Sequence, residues 1–331
     1  MKKILRFFFI TIVSFSVFAQ SSANDPLSSW NDGIAKKAIL NFVQTTTDPA
    51  NINYVPPENR VATFDQDGTL WVEQPVYTQV IFALEQIEKS APQHPEWKNK
   101  EPFKTVLSKN KTAIAKLTNA DLLQIMMMTH TNVSVEAFQQ IVKTWIKKAN
   151  DSRWHRPYTD LVYQPMLEVI NLLRANGYKI YIVTGGGQDF VRVYADKVYG
   201  IPTNQIIGSA LKTEYQYDKQ KQPILIKSPT LLLNDNYAGK PENIYLFIGQ
   251  KPQAAFGNST GDQQMLEYVE SNKGTHLLML VHHDDAEREY AYDAKSKIGT
   301  FSDALMSEAH QRGWIVISMK KDWKHIFPFE K

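Results

Sequence analysis

Residues 61–72 read Val-Ala-Thr-Phe-Asp-Gln-Asp-Gly-Thr-Leu-Trp-Val. An apolar run of strand character ends in two carboxylates, Asp65 and Asp67, with one residue between them. Side chains two apart on a strand point to the same side, so both carboxylates can face one spot just beyond the strand end. Gly68 lets the chain turn at once. Such a pair suits a hard divalent cation and a nucleophilic carboxylate beside a proton-handling neighbour. By itself the D-x-D-G pattern also occurs in calcium loops and hairpins. Three downstream segments separate these readings.

The first is the stretch 178–192, in which residues 180–183 form a second apolar strand and Thr184-Gly185-Gly186-Gly187 a tight turn before a helix-compatible run from Gln188. A hydroxyl and backbone N–H groups at a helix entrance can cradle phosphate; a plain glycine-rich turn would have the same letters. The second is Gly239-Lys240-Pro241, ahead of the apolar run 244–248. A single lysine is usually a solvated charge, but here it opens a strand-bearing unit where a phosphate-holding cation is needed. The third, residues 254–266, reads as a strand end, a polar glycine-bounded loop holding Asn258 and Asp262, and a helix start. Capping that helix is the commonest role for an Asp at position 262.

Taken together and in this order, Asp65-Gln-Asp67-Gly-Thr69, Thr184-Gly-Gly, Lys240 and Gly257-Asn-Ser-Thr-Gly-Asp262 resemble the haloacid dehalogenase superfamily of phosphotransferases. The spacing of the first two segments is similar to the branch with a helical cap inserted after the first strand, which includes phosphoserine phosphatases. The resemblance implies Asp65 as a nucleophile forming an aspartyl-phosphate, and Asp67 as the acid that protonates the leaving alcohol and then activates water. It also implies Mg2+ held by Asp65, the backbone carbonyl of Asp67 and the loop carrying Asn258 and Asp262. Thr184 and the following N–H groups, Gly185 first, would bind phosphate, with Lys240 as a further cation that keeps Asp65 ionised. The chain departs from the family pattern twice. Asn258 stands where related phosphatases usually have Asp. Gln74 stands where phosphoserine phosphatases tend to carry a substrate-binding Glu nine residues after the nucleophile, and Glu73 is the nearest acid.

Outside these motifs, Lys2, Lys3 and Arg6 precede the apolar residues 7–19, which predicts a secretory signal over residues 1–23, too short for a comfortable membrane span. Removing it takes away three positive charges and no acidic ones, moving the counts from 37 basic and 34 acidic to 34 and 34. Overall charge therefore does not point to a nucleic-acid partner. Cysteine is absent, which excludes disulfides, thiolate catalysis and cysteine-bound zinc. The expected product is periplasmic or secreted, with no stable membrane anchor after cleavage.

Helical spacing is expected over residues 27–47, then over 76–90, 103–117, 119–128 and 135–149, with Asn119 and Ser134 as N-caps. In Met126-Met127-Met128 the expected role is helix core. From Pro165 onward helix and strand alternate, with strands at 180–183, 244–248, 254–256, 277–281 and 314–319. That pattern predicts a three-layer, doubly wound, mostly parallel α/β sheet. The expected organisation is an α/β core over 24–74 and 161–331 with a helical cap over 75–160. The cluster from His282 to Glu289 is expected to be a polar rim beside the site, because adjacent side chains diverge and few could share one ion. Arg153-Trp-His-Arg156 reads as a polar connection, and Trp323 and Phe327 as anchors for the C-terminal stretch. The expected function is magnesium-dependent hydrolysis of a small phosphomonoester. Transfer of phosphate to an acceptor alcohol, or a catalytically silent binding protein of the same fold, are the competing readings.

Overall fold

The computed structural model describes residues 25–330, so the expected signal segment lies outside the described residues. A seven-stranded sheet runs through the molecule: β1 Val61–Phe64, β2 Lys179–Gly187, β3 Ile206–Tyr217, β4 Pro223–Leu233, β5 Ala254–Gly257, β6 Leu277–His282 and β7 Ile315–Ser318. The order is β4-β3-β2-β1-β5-β6-β7. Every neighbouring pair is parallel except β3 with β4. Strands covered on both faces need continuous apolar runs, and β1 and β5 are buried at every position. Phe64 stacks on Phe256 across their pairing, with ring centroids 4.3 Å apart.

Period-two alternation sends successive side chains to opposite faces. Phe64, Ile182, Phe256 and Met279 accordingly join one apolar cluster, and Val183, Ala255, Leu278 and Leu280 a second. The first cluster is completed by α1 (Ile34–Thr47), which supplies Ile39, Phe42 and Val43. The antiparallel bridge between Trp30 and Trp323 and the burial of Phe327 close the same side.

Between β1 and β2 the chain passes through α2 (Thr78–Ser90), α3 (Phe103–Leu107), α4 (Lys111–Ile114), α5 (Asn119–His130) and α6 (Val135–Ile146). This insert has its own apolar cluster around Ala83, Ile87, Trp97, Phe103, Val106 and Ile125. The expected helix over 103–117 is two helices, because Lys109 adopts positive φ and Asn110 caps a new start through Ala113 N. Ser134 caps α6 as its position suggests, but Thr118 rather than Asn119 caps α5, in a capping box with Asp121. After the insert come α7 (Gln164–Ala175), α8 (Gln188–Val191) and α9 (Ala195–Tyr199).

Two strand expectations need correction. Residues 244–248 belong to α10 (Gly239–Ile248), not to a strand. A five-residue apolar run has no diagnostic period; here Ile244 is buried while Tyr245, Leu246 and Phe247 face outward. The expectation also lacks the long β3–β4 hairpin, whose turn is held by Asp218 accepting from the N–H groups of Gln220 and Gln222. The remaining helices are α11 (Gln263–Glu270), α12 (Asp303–Arg312) and α13 (Met319–Asp322). No helix among the described residues is long and apolar enough to cross a membrane.

Candidate active site

The carboxyl ends of the adjacent strands β2, β1 and β5 carry the motif residues, at the place where open parallel sheets present ligands. Asp65 extends β1 by donating its N–H to Phe256 O at 2.9 Å. The chain then turns at Gly68, whose φ is +74°. A Cβ there would lie 2.1 Å from Asn258 Nδ2 and 2.4 Å from Glu73 Oε1, so only glycine permits this close approach. Asp67 Oδ1 accepts from Trp71 Nε1 at 2.7 Å, which fixes the second carboxylate.

Lys240 stands in the first turn of α10 and is fully buried. Its Nζ donates to Asp65 Oδ1 at 2.6 Å and to Val183 O at 2.7 Å, and lies 2.7 Å from Asp262 Oδ1. The side chain thus reaches the site from a helix rather than from ahead of a strand. Asp262 Oδ2 accepts from the N–H groups of Asn258 and Ser259, each at 3.0 Å. With one oxygen on Lys240 and the other on this loop, Asp262 braces the site instead of offering a free metal ligand. Asn258 accepts from Thr69 Oγ1 through Oδ1 and donates through Nδ2 to Glu73 Oε1 at 2.7 Å.

A register shift in the β2–β3 pairing between Thr184 and Gly187 forms the phosphate-type loop. Thr184 Oγ1 accepts from Gly186 N, while Gly187 N donates to Gln79 Oε1 at 2.8 Å. Gln79, in the first turn of α2, also contacts the buried His130 at the end of α5, with Nε2 atoms 3.1 Å apart. Because that amide nitrogen can only donate, His130 Nε2 accepts, and Nδ1–H faces Thr129 Oγ1 at 2.8 Å. A chain of hydrogen bonds therefore joins the glycine loop to the helical insert.

Burial dominates the local electrostatics. It pushes Asp65 up to about 8, helped by nearby Asp262 and opposed by Lys240. It raises Asp67 to about 6 against the Trp71 hydrogen bond and Lys240, and lifts Glu73 well above the usual carboxylate range. Although burial opposes its charge, the carboxylates of Asp262, Asp65 and Asp235 hold Lys240 above its ordinary value.

The segment after β6 is a buried brace rather than a polar rim. His283 contacts Gly68 O through Nε2 at 2.7 Å and Glu289 Oε2 through Nδ1 at 3.0 Å, beneath the turn that follows the two aspartates. Arg153, in the polar connection, sits over the rings of Trp154 and Tyr290 and bonds the carbonyl of Glu287. All seven motif residues (Asp65, Asp67, Thr184, Gly185, Lys240, Asn258 and Asp262) thus lie in this one region. Six of them, all except Asn258, line a chamber of about 610 Å³ between the sheet end, the helical insert and the hairpin. Glu73 also lines it, as do Gln79 and His130, which escaped the sequence reading. The acid Glu73 was legible as a neighbour of the motif; Gln79 and His130 meet only through packing of α2 on α5. Met126 and Met127 face this chamber as well, so the methionine run is only partly helix core.

Such a sheet, with paired carboxylates and a buried lysine near the ends of its central strands, defines an α/β domain with an acidic centre. Residues 60–219 match the model of the haloacid dehalogenase-like hydrolase family, and the chain carries a domain of that family. No curated protein gives a significant match. Among solved structures, a conserved functionally unknown protein from Anaerococcus prevotii is 13% identical, with 88% of this chain and 94% of that one covered and a TM-score of 0.53. A protein of unknown function from Bordetella pertussis is 14% identical over 78% and 98% of the two chains, with a TM-score of 0.46. A phosphoserine phosphohydrolase-like protein from Francisella tularensis is 15% identical over 67% and 87%, with a TM-score of 0.36.

Proposed function

We propose that this protein is an exported, magnesium-dependent phosphomonoesterase acting through an aspartyl-phosphate on Asp65. The observation that carries the reading is the placement of Asp65 and Asp67 in one chamber wall, with Lys240 Nζ 2.6 Å from Asp65 Oδ1 and the Thr184–Gly187 loop alongside. In the first step an Asp65 oxygen attacks phosphorus and the ester P–O bond breaks, while Asp67 gives its proton to the leaving oxygen. In the second, Asp67 as carboxylate takes a proton from water. The water oxygen attacks phosphorus, and the Asp65 carboxylate leaves with the electrons of the acyl-phosphate P–O bond. The Gly185 N–H, and Lys240 through its positive charge, offset charge on the phosphoryl oxygens throughout.

The chemistry of the donors fits a hard divalent cation. Asp65, the Asp67 carbonyl and Asn258 Oδ1 offer only oxygens, and Lys240 is already shared among Asp65, Asp262 and Val183 O. Among the described residues no three His, Cys, Asp or Glu side chains converge as a metal cage. An ion here would therefore rest on amide and backbone oxygens in addition to Asp65. When bound, Mg2+ would neutralise charge between nucleophile and phosphate. The helical insert would act as a cap that excludes bulk water, and the basic-then-apolar residues 1–23 support export.

Phosphate release from an aryl phosphate, with and without Mg2+, tests the reading against Asp65→Asn. Metal-dependent release that disappears in the variant is expected. Release that survives in Asp65→Asn would remove the nucleophile from the mechanism.

A further inference from the structure

The wall facing the reaction centre carries information about the alcohol that leaves. Residues contributed by the helical insert and the hairpin include Val80, Leu123, Met126, Met127, Phe138 and Leu231, a continuous supply of apolar surface. Polar side chains interrupt it: Tyr77 and Ser209 accept from Gly299 N and Asp235 N, Asn119 is exposed, and three more are already engaged. Lys227, buried on β4, pairs with Asp189 and lies over the Phe138 ring. His130 accepts from Gln79 and is packed against Phe82 and Phe138, which leaves its ring uncharged. The Gln79 amide is used at both ends, by Gly187 N and by His130.

Anchors for a zwitterionic alcohol are missing at the corresponding places. Gln74 turns away from the chamber and donates to Ser296 Oγ and Ile298 O. Lys240 is committed to Asp65 and Asp262, and Lys297 sits exposed at the edge of the lining. A volume of about 610 Å³ is ample for a phosphoryl group with an aryl or medium alkyl substituent.

We propose that this chamber selects phosphomonoesters whose alcohol is uncharged and apolar, with Met126, Met127 and Leu231 as the specificity-determining contacts. The proposal rests on the phosphomonoesterase reading above and adds its substrate class. Desolvation explains the sense of the selection. An apolar group gains by covering this wall, whereas an ammonium or carboxylate would lose its water against a wall whose charged side chain, Lys227, is already paired with Asp189.

The test uses the full chain with Mg2+ and a series from ethyl to hexyl phosphate, with 1-naphthyl phosphate, phosphoserine and glycerol 3-phosphate alongside. Binding of ethyl- and hexylphosphonate to the Asp65→Asn variant is measured in parallel by calorimetry. We expect kcat/KM to rise about threefold per CH2 along the alkyl series, and naphthyl phosphate to exceed phosphoserine by about 100-fold. Hexylphosphonate should bind more tightly than ethylphosphonate, and Met127→Lys should flatten both trends. A flat alkyl series, or a preference for phosphoserine, overturns the substrate class and leaves the phosphatase reading standing. If no ester is hydrolysed while the phosphonates still bind in order of chain length, the hydrolytic reading falls and the apolar ligand class stands. Equal phosphonate affinities overturn the proposal whatever the activity.

Discussion

Lowering the pH from 7 to 5 should cost this protein about 2 kcal/mol of folding stability through His130 alone. Burial lowers this imidazole from its ordinary 6.5 to about 3, with the positive charge of nearby Lys227 acting in the same direction. Its other neighbours are Gln79, Thr129 and the rings of Phe82 and Phe138, and Asp189 is drawn to Lys227. In the unfolded chain the ring takes up a proton as pH falls below 6.5; in the folded chain it does not until about 3. Between those values the unfolded state binds more protons, so this contribution is complete above 6.5, shrinks on acidification, and levels off below about 3. Each pH unit inside the window is worth about 1.4 kcal/mol, and pH 5 lies about one and a half units into it, which gives about 2 kcal/mol. Urea unfolding at pH 7 and pH 5 would be compared for the natural protein and His130→Gln. Glutamine keeps an oxygen that can accept from Gln79 but takes no proton. Other acidic groups titrate in both proteins and cancel in the difference. Equal losses of stability in the two proteins would refute the picture of a buried, neutral His130 linked to Gln79.

Lys227→Met should destabilise the fold by about 1–3 kcal/mol, because the partly buried Asp189 then keeps only Arg192, 3.7 Å away; adding Asp189→Asn should recover part of that loss in the same unfolding assay. Gly239→Ala puts a Cβ 1.9 Å from Asn234 O, so the start of α10 must move and carry Lys240 off Asp65. Aryl phosphate turnover should fall about 100-fold with the circular dichroism spectrum retained. Gln79→Ala removes the links to Gly187 and His130, and should cost about 1–3 kcal/mol while exposing the Gly187 amide to faster hydrogen exchange.

The parts legible in the sequence are those whose chemistry is local. β1 and β5 announce themselves as short apolar runs ending in acids, amides and glycines, and the Thr184 turn follows its strand directly. Residues 244–248 were not legible because a short apolar run has the same appearance on a helix and on a buried strand. The hairpin escaped because its outer half is exposed at Tyr215, Tyr217 and Leu225, so burial leaves little apolar alternation to read. Contacts that depend on two distant elements meeting, such as Gln79 with His130 or His283 with Gly68, leave no trace in spacing. Asn258 stood out as an odd residue in the sequence, but its partner Glu73 became apparent only once the Gly68 turn brought the two together.

The β3–β4 hairpin does more than extend the sheet. Lys227 donates its N–H to Val133 O and accepts from Asn132 N, next to the bridge between Ser134 and Ile226. The helical insert is therefore attached to the sheet here as well as at its two covalent connections and, close to the first of these, the Gln79–Gly187 bond. Two attachments leave a body free to rotate about the line between them, as a door does on its hinges. A third, made from another strand, removes that rotation until its hydrogen bonds break. Any swing of the insert must include a peeling of residues 132–134 from β4, which makes the middle of a sheet-edge strand a mechanical control point of a chamber built at the sheet's centre.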